Sequence, residues 1–125
     1  MKELVFDKLA SDESLCALVG RIKGADRIQG DIPCIFFNNP ASWDVLPAVA
    51  FMEQDGGDVV FADDICVAVE RVIQIDVVAN TSATLVFERV DFLLRQMGFV
   101  CKQVMDIIEP VNKHKRGIYK ILTNP

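Results

Sequence analysis

From Ile65 to Val77 every second residue falls in one row, Ile65, Val67, Val69, Arg71, Ile73, Ile75 and Val77, broken only at Arg71. Alternation of this kind is what a strand with one buried face requires, so the stretch predicts a single long strand. The intervening Ala68, Glu70, Val72, Gln74, Asp76 and Val78 are mixed and mark its other face. Beyond Asn80 the period changes. Val86, Val90, Leu93 and Met97 recur at spacings of four, three and four, with Phe87 and Leu94 beside them, which is the apolar stripe of a helix. Glu88, Asp91 and Arg95 lie on its opposite side, Thr81 or Ser82 can cap its start, and Gly98 can close its end. A long strand feeding a packed helix is the unit on which the rest of the chain assembles.

The flanking segments supply shorter elements. Leu4, Val5 and Leu9, then Ser11 as an N-cap ahead of Asp12, Glu13, Leu15, Leu18 and Val19, predict a helix in two pieces over 2–19 that stops at Gly20. Residues 21–30 are polar and glycine-containing, a loop with a short extended piece around Ile22. The runs Pro33–Phe37 and Pro47–Met52 read as strands that begin at the proline or lie at an edge, because proline cannot donate to a sheet ladder. Between them Trp43 is either a lid over the core or an anchor facing a partner. Two conformations fit the acidic segment Glu53–Asp64: a tight hairpin at Asp55–Asp58, or a long projecting arm joining Met52 to Ile65. Phe99–Ile108 reads as a strand, Glu109–Gly117 as a basic turn and Ile118–Leu122 as a closing strand. The order α-β-β-β-α-β-β predicts one α+β domain over residues 1–125, an antiparallel-rich sheet with both helices on one face.

Composition limits the function. A chain of 125 residues that is 51% apolar can bury a core of its own. It has no apolar run of about eighteen residues, and MKELVFDK lacks the apolar centre of a secretory signal, so no membrane association is expected and the protein is read as cytosolic or released by lysis. Cys16, Cys34, Cys66 and Cys101 are far apart with apolar neighbours, which predicts buried reduced thiols, neither a metal site nor disulfides. The net charge of −5 argues against tight nucleic-acid binding. Without Lys113, Lys115 and Arg116 the balance is ten basic residues against eighteen acidic, or −8, so the C-terminal segment opposes the body in sign.

Chemistry is sparse. His114, the only histidine, sits among cations without an evident carboxylate and reads as a solvated surface residue. No nucleophile-elbow, zinc-helix or phosphate-loop pattern is present, and Asp55, Asp58, Asp63 and Asp64 lack the ligand alternation of a calcium loop. No catalytic residue, cofactor or metal is expected. Strand edges, an acidic loop and a basic turn are instead the ingredients of a head-to-tail contact, which closes into a ring when the rotation allows. The residues expected at a subunit or tube interface are Asp55, Asp58, Asp63 and Asp64 on the acidic side and Lys113, Lys115 and Arg116 on the basic side.

Four stretches, SDESLCALVGRI, LPAVAFME, FADDICVAVERVIQIDVVANTSA and LLRQMGF, together resemble the tail completion, or tail terminator, proteins of long-tailed bacteriophages and prophages. The resemblance spans most of residues 11–122; Asn38–Leu46 stands outside it. It implies a structural protein of the virion tail, assembled in the host cytoplasm. Such a protein forms a hexameric ring of its own copies, stops polymerisation of the major tail tube protein and offers a docking surface to the head–tail connector. Two other roles suit a chain of this size and acidity: an adaptor on the connector side, or a small module that binds a peptide by β-edge addition.

Overall fold

A computed structural model describes residues 1–23, 31–38, 43, 45–54 and 59–124. The chain opens with α1 (Lys2–Ala10) and α2 (Glu13–Leu18), continues through β1 (Arg21–Lys23), β2 (Asp31–Pro33), β3 (Ile35–Phe37), β4 (Ala48–Gln54), β5 (Val59–Ala62) and β6 (Ile65–Ala79), and ends with α3 (Thr84–Gln96), β7 (Val100–Ile107) and β8 (Lys113–Thr123). β1 and β2 form a small ladder apart. The main sheet runs β3-β4-β6-β8-β7, with β5 also paired to β6. Among the described strands only β3 and β4 pair in parallel. The result is one α+β domain with a mostly antiparallel mixed sheet.

The alternating row explains where the core sits. Ile73, Ile75 and Val77 of β6, Val49 and Phe51 of β4, and Tyr119 of β8 point to one face, and there they meet Val86, Phe87, Val90, Leu93 and Leu94 of α3 with Val5, Leu9 and Leu15 of α1 and α2. All three helices therefore lie on one side. Tyr119 is wholly buried, and its hydroxyl donates to Asp91 Oδ1 at 2.6 Å. Burial and that carboxylate together push the phenol far above its ordinary value. Gly98 ends the helix in the left-handed region at φ 100°. β7 forms one edge of the sheet, and the irregularity between Cys101 and Gln103 with the partly exposed Lys102 makes that edge a poor template for another strand.

Three local expectations change. The cap of α2 is Asp12, not Ser11: its carboxylate accepts from Leu15 N at 2.8 Å, while Ser11 ends α1. Asp12 also takes two bonds from Arg89 of α3, at 2.8 and 2.9 Å, and the guanidinium holds its carboxyl below the ordinary value despite partial burial. A longer-range partner thus decides between two adjacent capping residues. Replacing Asp12 by Ala removes the cap and the α2–α3 tie, and urea unfolding should record a loss of about 1–2 kcal/mol.

Pro33 closes β2 instead of heading a strand, since the end of a two-stranded ladder tolerates a missing donor as well as its beginning does, while the rest of its run, Ile35–Phe37, is β3 at the edge of the main sheet, the other placement the sequence allowed. The basic segment is not a turn: Lys113, Lys115 and Arg116 belong to β8, which pairs with β6 over its whole length from Lys113 opposite Ala79 to Thr123 opposite Val69. The apolar pattern of the closing strand starts only at Ile118, which hid its first half.

Candidate functional site

Two regions at opposite ends of β6 gather the residues singled out in the sequence. At the first, β4 covers Val72–Val78 and β8 covers Val69–Ala79, leaving Ile65–Ala68 paired with β5 alone. Residues 59–69 therefore project from the sheet as a two-stranded ribbon. Its tip is Asp63–Asp64, with φ of 51° and 63°, the two left-handed residues of a tight hairpin loop that aspartate tolerates. Of the two conformations that fit the sequence here, the projecting arm is found, and its hairpin turn falls at Asp63–Asp64. Asp55 and Asp58 lie outside the described residues.

The arm continues the core row without its cover. Residues facing each other across a ladder share a side, so Val59, opposite Val69, extends the face that the helices bury from Ile73 onward; the ladder is irregular at Val67, and beyond it Phe61, opposite Cys66, keeps the side of Val59 while Ile65, opposite Ala62, falls on the other. No described helix reaches them, and Ile65 is 67% exposed. The side of Val59 thus carries Phe61, 63% exposed, and the opposite side carries Val60 with Ile65. Both faces are apolar and open.

At the far end, roughly 40 Å along the strand at about 3.3 Å per residue, lies the basic group. Arg116 Nε bonds Asp76 Oδ1 at 2.8 Å across the helix-free face of the sheet. The same oxygen receives His114 Nε2 at 2.7 Å, and Gln74 Nε2 reaches Asp76 Oδ2 at 2.8 Å. His114 Nδ1 meets Glu109 Oε1 at 2.6 Å. Asp76 is only 3% exposed. Burial pushes its carboxyl upward, but the hydrogen bonds from Arg116, His114 and Gln74 outweigh that and hold it below its ordinary 3.8.

The histidine is thus held between two carboxylates and is not a solvated surface residue. Strand pairing places Asp76 directly opposite Arg116 and close to His114, a proximity that a sequence separation of 38 conceals. A neutral imidazole donates through one nitrogen only, so the two contacts together call for a proton on each nitrogen or one on a carboxylate. A catalytic histidine keeps one nitrogen for a nucleophile or substrate. Both nitrogens of His114 are taken, and what they do is fasten the β7–β8 connection to the sheet.

Because the Asp76 carboxyl is held low, its ionic bonds contribute in full above about pH 4, and that stability is lost as pH falls through the lower, folded value. Unfolding free energies measured by urea from pH 5 down to pH 2 should show this decline. The Asp76→Asn variant should show a shallower one.

Beside this cluster a cleft of about 470 Å³ opens between the start of α3 and the β7–β8 connection, lined by Thr81, Thr84, Ile107, Ile108, Lys113 and His114 among others. Lys115 pairs with Asp106 at 3.2 Å and lies 5.8 Å over the Phe87 ring. Lys113 is exposed, and among the described residues it has no ion-pair partner. Ile108 and Val111 are 99% and 82% exposed. Among the described residues no group of three His, Cys, Asp or Glu side chains could hold a metal, and all four cysteines are free. Burial pushes the thiols of Cys16 and Cys34 up. No described helix is long and apolar enough to cross a membrane. Trp43 is half-buried.

No protein-family model matches the chain, and no curated protein does.

Proposed function

We propose that this chain is a structural subunit of a long-tailed phage or prophage tail, a terminator that caps the tail tube and ends its growth. Its partners on this reading are further copies of itself in a ring, most simply a hexamer, the major tail tube protein below and the head–tail connector above. It works in the virion tail and is assembled in the host cytoplasm. The resemblance of residues 11–122 supplies the class of protein. The observation that carries the structural role is the arm, because a small domain that leaves Phe61, Ile65 and Val67 uncovered on a projecting ribbon presents a surface suited to another protein. The negative net charge suits a ring through which DNA must slide without being held.

Deleting the gene in the producing phage should give overlong tails that fail to join heads, and gold-labelled antibody on intact virions should mark the head-proximal end of the tail. Normal tail length in the deletion strain would overturn the terminator role. Label on capsids that lack tails would assign the chain to the connector side instead.

A further inference from the structure

The chain's own helices cover β6 only from Ile73 onward, so Val69, the irregular Val67 and Ile65 run out beyond that cover with β5 as their one described partner past Val69. An isolated two-stranded ribbon is marginal in water, and this one is apolar on both sides. A ribbon of that kind suits a cleft better than a flat surface, since a flat surface would leave one side wet. At the other end of the same strand lies such a cleft, lined by Ile108, almost wholly in solvent, and by Lys113, a cation that no described carboxylate neutralises; its acids Asp106 and Glu109 are engaged by Lys115 and His114, and the exposed Val111 lies beside it on the same β7–β8 connection. The arm ends in two carboxylates, Asp63 and Asp64. Apolar surface and unbalanced charge are thus complementary between the two ends of one molecule, which cannot meet within it because β6 holds them apart.

We propose that the hairpin of one copy, residues 59–69, seats in the cleft of the next copy, with Phe61 and Ile65 against Ile108 and Val111 and with Asp63–Asp64 beside Lys113. The contact is heterologous: every subunit gives one arm and receives one, so the chain of contacts continues until it closes. Apolar burial supplies most of the affinity, and the charges set register and approach. The contact identifies the surfaces that would build the ring proposed above and rests on that reading.

Two variants separate donor from acceptor. Phe61→Ser impairs the arm; Val111→Asp with Lys113→Glu impairs the cleft. All three positions are exposed, so circular dichroism and thermal unfolding should match the parent. Sedimentation of the parent at up to millimolar concentration should show species larger than a dimer, and each variant alone should associate about thirtyfold more weakly. An equimolar mixture of the two keeps one sound arm and one sound cleft per pair. It should form one-to-one dimers and nothing larger. Lowering the salt should strengthen the parent and not the cleft variant. A parent that stays monomeric, variants that associate like the parent, or a mixture that stays monomeric would each overturn the contact. Parent rings that form but leave tail tubes uncapped would count against the terminator role and leave the contact standing.

Discussion

Replacing Asp76 by Ala should cost about 3 kcal/mol of unfolding free energy, the scale for removing one partner from a buried ionic cluster. The carboxylate accepts from Arg116, His114 and Gln74 at once, and its removal strands a guanidinium and an imidazole on the helix-free face. Arg116 is a third exposed and can turn toward water, which keeps the cost at the lower end of the range for such clusters. For a domain of this size the loss should lower the melting temperature by roughly 10 °C. Removing Arg116 as well should recover part of it: Asp76→Ala with Arg116→Met is expected to be more stable than the sum of the single changes by at least about 1 kcal/mol. Additive losses in urea unfolding would mean that the pair does not act as a unit. The same cluster limits how the basic group can be tested as an interface. Reversing the charge of Lys113, Lys115 and Arg116 together would set a second carboxylate beside Asp76 and weaken the fold itself, so Lys113 is the position at which charge can be reversed cleanly.

Gly117→Ala should destabilise by about 2 kcal/mol through crowding. A methyl group on Gly117 would stand 2.8 Å from Phe87 Cζ and 2.8 Å from Tyr119 Cε2, closer than carbon atoms approach. Neither ring is free to retreat, since Phe87 is buried between α3 and the sheet and Tyr119 is held by its bond to Asp91. The missing side chain is what lets α3 lie close on β8. Pairing Gly117→Ala with Phe87→Leu should relieve much of the cost, and thermal unfolding of the single and double variants would show it. A single variant as stable as the parent would mean that the helix can slide along the sheet.

The fold was legible where the pattern was long. Fifteen residues of β6 and thirteen of α3 carry enough repeats for period two and period 3.6 to be told apart, and α1, α2, β4 and β7 follow from shorter runs bounded by glycine or proline. β8 was half hidden. Lys113–Arg116 has no apolar alternation because its outward residues answer Asp76 and Asp106 across the sheet, and a strand specified by polar cross-strand pairs looks like a loop in one dimension. The Asp76–His114–Glu109 cluster was invisible for the same reason. Asp76 between Ile75 and Val77 near the end of the strand was the one signal the chain offered, and among the mixed even positions Glu70 and Gln74 it did not stand out. The arm was legible only as an alternative. Apolar alternation from Ile65 onward predicts a strand with a covered face, and the row carries no mark of where the chain's own helices stop covering it.

The central claim is that this domain acts through its surface, by ending a protein tube. The direct measurement is electron microscopy of tail tube protein polymerising in the presence of the purified chain. Tubes should stop growing, shorten as more chain is added, and carry a single ring of it at one end, while the Phe61→Ser variant should cap poorly. Tubes that grow to their usual length, or copies of the chain bound all along the shaft, would contradict it.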